Sequence, residues 1–382
     1  MGSFQDSKRS DVVVAHSPTI TSIETHTMGK SLFKYLHMKV HPDIQNADWE
    51  AIVVKGHHSR LAPSRVASIE KRDKPFNWQR PTTSYNEKGR ILELLVFPGE
   101  DYVQHYAAIV ATYLSLTGKN PSIVTYQLPT PAQCMKPLLQ SNLKPMSDVD
   151  IVILGYVDGL RRFTSGTWQG GGDDELFSWQ VLTLPNGTTV AFLGCRICFW
   201  GDIGGNVVRA LQSINKAKCV IYVGKLGSLR PEDRPNSVLA TGNSSMAKGS
   251  IVTWKNPLED AVDESSMVER GVHYSLPSVL QETHAWLEDH KRSFHWVDPE
   301  IGQMAKASLE GGTRFGYLHI VSDNLAEKYE YDLSNERARQ VLDDRERLLK
   351  EIEVILGVFF DSWDRCTVDP ICADSVSQGC FT

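Results

Sequence analysis

The sequence predicts an α/β protein with a mixed, largely parallel central sheet flanked by helices, preceded by an N-terminal extension. Three observations predict it. From Arg90 onward, apolar runs of strand length recur, and several end in glycine before a helical pattern begins, as in ILELLVFPG followed by DYVQHYAAIVATYLSL. Runs that are apolar on both faces mark strands covered by helices, the usual situation in parallel sheets. Asn186-Gly187, between WQVLTLP and TTVAFLG, signals a hairpin with a type I′ turn, so at least one antiparallel pair is expected.

Residues 1–87 are polar and irregular, with one short strand-like run, AIVVKG, near Ala51. They read as an N-terminal extension or subdomain, partly disordered. Residues 88–360 form the α/β domain. Its further strands are SIVTYQL, DVDIVILGYVDG, TTVAFLGCRICFWG, KCVIYVGKLG, SVLATG and RFGYLHIVSD, and DIGGNVVRALQSI is a helix between them. SGTWQGGGDDE (165–175) reads as a mobile loop, either a lid or a plain surface insertion. Asn335 to Phe360 is an amphipathic helix, with Val341, Leu342, Leu348, Leu349, Ile352, Leu356 and Phe359 at helical spacing. Residues 361–382 form a loose tail.

Composition excludes some classes. The 382 residues carry a net charge of −6, which argues against wholesale wrapping of nucleic acid. No apolar run is long enough to span a membrane. The first residues, MGSFQDSKRS, lack a signal-peptide core, and Asp6 stands where a myristoylation motif needs Ser or Thr. Seven scattered cysteines fit free thiols in a reducing compartment, so a cytoplasmic location is expected. Cys195-Arg196-Ile197-Cys198 lacks a second ligand pair at zinc spacing and reads as core or near-site thiols. No metal and no cofactor is expected.

In open α/β sheets, ligands bind where turns leave the carboxyl ends of strands. That selects four places: Phe97-Pro98-Gly99-Glu100, the segment Gly194 to Gly204, the turn Gly224-Lys225-Leu226-Gly227, and Val321-Ser322-Asp323. In that order these places resemble the purine nucleoside phosphorylase and nucleosidase superfamily. LLVFPGEDYVQHYAAIVATYL is similar to its first strand, phosphate-side glycine turn and first helix. CVIYVGKLGSLRPEDRPNSVLATG resembles the strand and Gly-x-x-Gly turn. WVDPEIGQMAKASLEGGTRFGYLHIVSD resembles the sugar-binding helix and the strand ending in Ser-Asp. The resemblance covers about Arg90 to Phe360, with an insertion around Cys134–Asp174.

The resemblance implies roles residue by residue. Glu300 would grip the ribose hydroxyls, with Pro299 in place of the usual methionine. Asp323, beside Ser322, would protonate the departing base. Arg337 lies near the place of an arginine that approaches this acid. The phosphate side departs: the family's arginines fall on Val103 and Tyr222, and its turn serine falls on Lys225. Gly99, Gly224 and Gly227 remain. Phosphate recognition normally uses bidentate arginine, so phosphorolysis is not expected. Arg161, Arg162 or Arg196 could contribute a cation.

The resemblance implies one function, and a second, of a different class, is weighed beside it for the altered phosphate side. The first is a nucleosidase in which Glu100 or Asp101 orients water, Glu300 holds ribose and Asp323 protonates the base. The second is acyl transfer from an aminoacyl-tRNA, of the arginine-using cyclodipeptide synthase type in secondary metabolism. There the site would hold the terminal adenosine, and Lys55, His57, His58, Arg60, Arg65, Lys71, Arg72, Lys74 and Arg80 would face the tRNA backbone. The partner is thus a nucleoside-containing small molecule or, in the second reading, aminoacyl-tRNA. The family is commonly oligomeric, which implies a homo-oligomer here.

Overall fold

The computed structural model describes residues 14–58, 75–76, 81–85 and 90–363. The first residues, the tail after 363 and the basic residues Arg60, Arg65, Lys71, Arg72, Lys74 and Arg80 lie outside the described residues.

The smaller of two sheets contains β1 (Ala51–Gly56), β2 (Thr82–Tyr85), β3 (Ile91–Val96) and β4 (Val124–Gln127), in the order β2-β3-β1-β4. β1 pairs parallel to both β3 and β4. This sheet therefore joins residues on both sides of position 88, and the run ILELLV belongs to it rather than to the main sheet. The buried alternate residues Ile52, Val54, Leu92, Leu94 and Val96 explain the pairing, since each strand has one apolar face to cover.

The main sheet has twelve strands. They are β5 (Ile151–Gly155), β6 (Gln169–Gly170), β7 (Phe177–Thr183), β8 (Thr189–Cys195), β9 (Cys219–Ser228), β10 (Leu239–Thr241), β11 (Ser244–Ala247), β12 (Ser250–Thr253), β13 (Val268–Arg270), β14 (His273–Ser275), β15 (Trp296–Asp298) and β16 (Arg314–Asn324). The central strands β8, β5, β9 and β16 run parallel, while β7 and β12 add antiparallel neighbours. The sheet is mixed with a parallel centre, as expected.

Nine helices flank the two sheets among the described residues. They are α1 (Ser31–Lys39), α2 (Pro42–Asn46), α3 (Glu100–Leu116), α4 (Pro131–Leu139), α5 (Asp202–Asn215), α6 (Glu259–Val262), α7 (His284–His290), α8 (Ile301–Glu310) and α9 (Arg339–Ser362). α3 is buried along almost its whole length, as its Ala-, Val- and Leu-rich sequence requires. α5 and α8 pack closely because Gly204 and Gly205 carry no side chains. A Cβ on Gly205 would lie 2.7 Å from the Gln303 carbonyl oxygen. α9 starts four residues later than its periodicity suggests, and Val341, Leu348, Ile352, Leu356 and Phe359 are buried, while Leu342 faces solvent.

The hairpin at Asn186-Gly187 forms, but its turn is not type I′. Gly187 N–H donates to the Leu184 carbonyl at 2.9 Å, and Leu184 N–H to the Thr188 carbonyl at 2.8 Å. Only Gly187 has positive φ, at 79°. Pro185 fixes the first corner at negative φ, so the loop is a type I turn closed by a glycine in the left-handed region. The 165–175 loop is tied down: β6 pairs with β7, and Arg196 donates from Nη1 to the carbonyls of Gly172 and Glu175.

Candidate active site

β9 changes neighbours along one edge. β5 covers it from Cys219 to Val223 and β15 from Gly227 to Ser228, while β16 follows the whole opposite edge. Gly224, Lys225 and Leu226 pair with neither β5 nor β15. A cavity of about 240 Å³ opens at this gap. It is a topological switch point, where the sheet parts at the carboxyl end of a parallel strand.

The Gly224–Gly227 stretch is therefore not a turn. β9 continues straight through it because β16 pairs with each residue, so its amides do not form an anion nest. The glycines answer to crowding instead. A Cβ on Gly224 would lie 2.8 Å from His319 Nε2, and one on Gly227 would lie 2.8 Å from Leu325 Cδ1. Opposite them, the ladder shifts register between Val321 and Asp323, making Ser322 the extra residue of a bulge. Bulges re-aim side chains, and this one turns Ser322 and Asp323 into the cavity.

Four buried carboxyl groups line the cavity. Asp323 accepts from Ser322 Oγ at 2.7 Å. Burial pushes its carboxyl up, against the pull of Ser322 and then of Lys225. Burial, and then the charge of Asp323, pushes Glu282 well above the ordinary range. Burial, and then Asp298, does the same to Glu300, whose Oε1 accepts from the Gly201 amide at 3.2 Å. Asp298 differs. Burial alone would raise it, but His273 and then His319 hold it below the usual carboxylate range. Its Oδ1 accepts from the amides of Glu300 and Ile301, each at 2.9 Å, fixing the start of α8. Burial thus favours the protonated form of three acids while the imidazoles favour the ionised form of the fourth, and such separation by environment sets up acid and base roles.

The other walls are aromatic. His105 stacks on Trp200 with ring centres 3.9 Å apart, and its Nδ1 lies 2.7 Å from Ser278 Oγ. Burial lowers its pKa to about 3, so the ring is neutral. Tyr35 and Lys39 come from α1, so the N-terminal region supplies part of the site. Lys225 pairs with Glu336, which also accepts from Arg345 Nη2 at 3.0 Å. The cation beside Asp323 is thus Lys225 with buried Arg345 behind it, while Arg337 is exposed and does not line the cavity.

The first glycine turn lies outside the cavity. The amides of Glu100 and Asp101, at the start of α3, both donate to the Asp202 carboxylate at 3.0 Å. In return, the Asp202 amide at the start of α5 donates to Asp101 Oδ2 at 3.0 Å. Two helix N-termini, each a natural anion site, are occupied by each other's aspartate. Glu100 also pairs with Lys248 at 3.3 Å. Gly99, Glu100, Asp101, Arg161, Arg162 and Arg196 do not line the cavity, whereas Tyr222, Gly224, Lys225, Gly227, Glu300, Ser322 and Asp323 do. Glu282, Asp298, His105 and the α1 residues had no signal in the sequence beyond their residue types, because irregular segments and distant elements deliver them. Cys195 and Cys198 are free thiols in the wall, and burial pushes the Cys195 thiol up.

The paired aspartates give a pH prediction. Burial, and then Asp202, raises Asp101 from 3.8 to about 6. The folded chain therefore holds a proton on Asp101 that the unfolded chain has released between roughly pH 4 and 6. The stabilising term is complete below the unfolded value and is lost as pH rises through about 6. Asp101→Asn keeps an acceptor for the Asp202 amide and cannot ionise. It is expected to raise the unfolding free energy at pH 7.5 by on the order of 1 kcal/mol, read as a higher urea midpoint, and to match wild type below pH 4. A lower midpoint at pH 7.5 would show that the charge helps the α5 terminus more than it repels Asp202.

No protein-family model matches the chain. The curated protein named Oxidoreductase cns1, from Cordyceps militaris, is 27% identical over 262 residues, covering 61% of this chain and 32% of that protein. The chain thus spans about a third of that relative's length. Among solved structures, purine nucleoside phosphorylase from Toxoplasma gondii in complex with immucillin-H aligns over 58% of this chain and 94% of its own, at 12% identity and a TM-score of 0.45. The 5′-methylthioadenosine/S-adenosylhomocysteine nucleosidase from Neisseria meningitidis in complex with methylthio-immucillin-A aligns over 55% and 99%, at 17% identity and a TM-score of 0.43. The corresponding nucleosidase from Campylobacter jejuni aligns over 55% and 99%, at 12% and 0.42. These similar structures are nucleoside phosphorylases and nucleosidases. No helix among the described residues is long and apolar enough to cross a membrane.

Proposed function

We propose that the protein binds a ribonucleoside and cleaves its N-glycosidic bond with water rather than phosphate. The observation that carries this is one cavity holding the buried acids Asp323 and Glu300, whose burial favours the protonated form, while internal carboxylates occupy the features suited to an anion. Asp202 takes the α3 amides, Asp101 takes the α5 amide, and Glu336 takes Lys225. Among the described residues, no arginine lines the cavity. The cations Lys39 and Lys225 share that lining with Asp158, Glu336 and the ionised Asp298, so the lining carries no surplus of positive charge for a phosphate dianion.

In this reading Glu300, held by the Gly201 amide, contacts the ribose hydroxyls. Asp323 gives its proton to the base as the bond to the anomeric carbon breaks, and Glu282 faces the same base edge. The aromatic wall of Tyr102, Tyr106, Phe199 and Trp200 stacks on flat rings and excludes water.

Purified protein incubated with a panel of purine nucleosides is expected to release free base and ribose at the same rate with and without phosphate, read by mass spectrometry. Ribose 1-phosphate formed only when phosphate is present would overturn the hydrolytic assignment. Dipeptide formed from supplied aminoacyl-tRNA, with no base released from any nucleoside, would replace it with acyl transfer.

A further inference from the structure

One end of the cavity is built by helices rather than by strands. α1 supplies Tyr35 and Lys39 to its lining, and α3 supplies Tyr102, His105, Tyr106 and Ile109. α1 precedes Arg90, where the family resemblance begins, so the resemblance gives Tyr35 and Lys39 no role. The Tyr106 hydroxyl donates to the Lys39 carbonyl at 3.2 Å, which ties the end of α1 to α3.

His105 is the fixed point of this end. It is 2% exposed, and its ring lies flat against Trp200, whose Nε1 donates to the Pro277 carbonyl at 2.9 Å. Ser278 Oγ accepts from the Leu280 amide at 3.2 Å. The Ser278 hydroxyl hydrogen has one acceptor in reach among the described residues, His105 Nδ1 at 2.7 Å. Nδ1 therefore accepts, and the hydrogen of the neutral ring sits on Nε2. Nε2–H has no hydrogen-bond partner among the described residues. Unlike His319 Nε2, it is not closed off from the cavity, which His105 lines. Leaving a buried donor unpaired costs about 1–3 kcal/mol, so one aimed into a cavity points to a ligand.

The surrounding groups set the charge of that ligand. The Lys39 ammonium lies 5.2 Å over the Tyr35 ring, and its charge reaches the His105 imidazole. Every polar side chain that α1 and α3 send into the cavity carries an N–H or O–H, and none is a carboxyl. Glu282, the nearest acid along the Ser278 segment, faces Asp323, and burial favours its protonated form.

Resting on the ribonucleoside reading above, we infer that this end is a carboxylate subsite, in which His105 Nε2–H and the Lys39 ammonium receive a singly charged carboxylate carried on the sugar of the substrate. Trp200 directly precedes Gly201, whose amide holds Glu300, so the subsite adjoins the sugar rather than the base at Asp323. A carboxylate accepts from both donors and needs one cation, whereas a phosphate dianion needs more positive charge than the lining holds.

The test uses the full chain and a matched pair of substrates, adenosine-5′-carboxylic acid and adenosine-5′-carboxamide, which share a shape and differ in charge. At neutral pH, wild type is expected to release adenine from the acid with a kcat/KM about tenfold or more above that for the carboxamide, the scale of one charge-assisted hydrogen bond. Calorimetry on the Asp323→Asn chain, which cleaves slowly, should show the same preference in Kd. Lys39→Met and His105→Phe, the latter keeping a ring against Trp200, are each expected to bring the ratio toward one. A wild-type ratio near or below one, or a ratio unchanged in either variant, overturns the subsite, while base release from either substrate upholds hydrolysis. If His105→Phe does not fold, Lys39→Met alone decides. If no nucleoside releases base, the hydrolytic reading falls, and the binding ratio decides the subsite.

Discussion

Asp323→Asn is expected to lower kcat for base release by about 10²- to 10⁴-fold, the scale of a lost general acid. The change is nearly isosteric. The amide oxygen of the variant would still accept from Ser322 Oγ, which lies 2.7 Å from the native carboxylate, so the bulge at the end of β16 should keep its shape. What disappears is the proton. Asp323 is buried, and its raised pKa favours the protonated form that can donate as the base leaves. Binding of an uncleavable nucleoside analogue, measured by calorimetry, should change by no more than a few-fold. A ribonucleoside analogue whose leaving group departs without protonation should lose far less rate than a purine nucleoside. Equal losses on both substrates would assign Asp323 to positioning and remove it as the acid.

Glu336→Ala carries the largest expected effect on stability. Glu336 sits just before α9 and is the shared carboxylate of Lys225 and Arg345. Arg345 is 7% exposed, and its Nε also donates to Asn236 Oδ1 at 2.7 Å. Removing the carboxylate leaves two partly buried cations beside each other. Breaking a buried pair from one side typically costs about 3–5 kcal/mol, and the 23% exposure of Lys225 brings the expectation to about 2–3 kcal/mol. Thermal unfolding should show a Tm lowered by several degrees. Glu336→Gln should recover part of the loss, since its amide oxygen still accepts. The cavity would also gain positive character, so Glu336→Ala should be inhibited by inorganic phosphate at concentrations that leave wild type unaffected. A variant as stable as wild type would show that Lys225 and Arg345 are satisfied elsewhere.

The central strands of the main sheet were legible because a strand buried on both faces must be apolar along its length, as in Ile151–Gly155, Cys219–Ser228 and Arg314–Asn324. The long terminal helix was legible for the same reason at helical period, although Glu336 pairing with Lys225 belongs to the segment before it. Local rules failed where a neighbour decided the conformation. Gly224 and Gly227 carry the composition of a turn, yet β16 pairs with the whole segment and the glycines relieve crowding by His319 and Leu325. Asn186-Gly187 carries a type I′ signal, yet Pro185 set the turn. AIVVKG looked like part of a separate N-terminal piece, yet it pairs with both β3 and β4.

The sequence by itself determined the α/β class and the parallel centre of the sheet. It also placed Tyr222, Lys225, Glu300, Ser322 and Asp323 near the carboxyl ends of strands. These follow from patterns that repeat along the chain, because burial of a strand or a helix face is a local demand on residue type. The tertiary structure alone decided which groups share the cavity and in what charge state. It brought Glu282 against Asp323, His273 and His319 against Asp298, and Tyr35 and Lys39 from the N-terminal helix. It also set Asp202 across the α3 amides and Glu336 onto Lys225, occupying groups that could otherwise hold an anion. A carboxyl's protonation depends on its burial and on charges a few ångströms away, and in this fold those charges come from residues as much as 148 positions distant in the chain, as with Lys248 and Glu100.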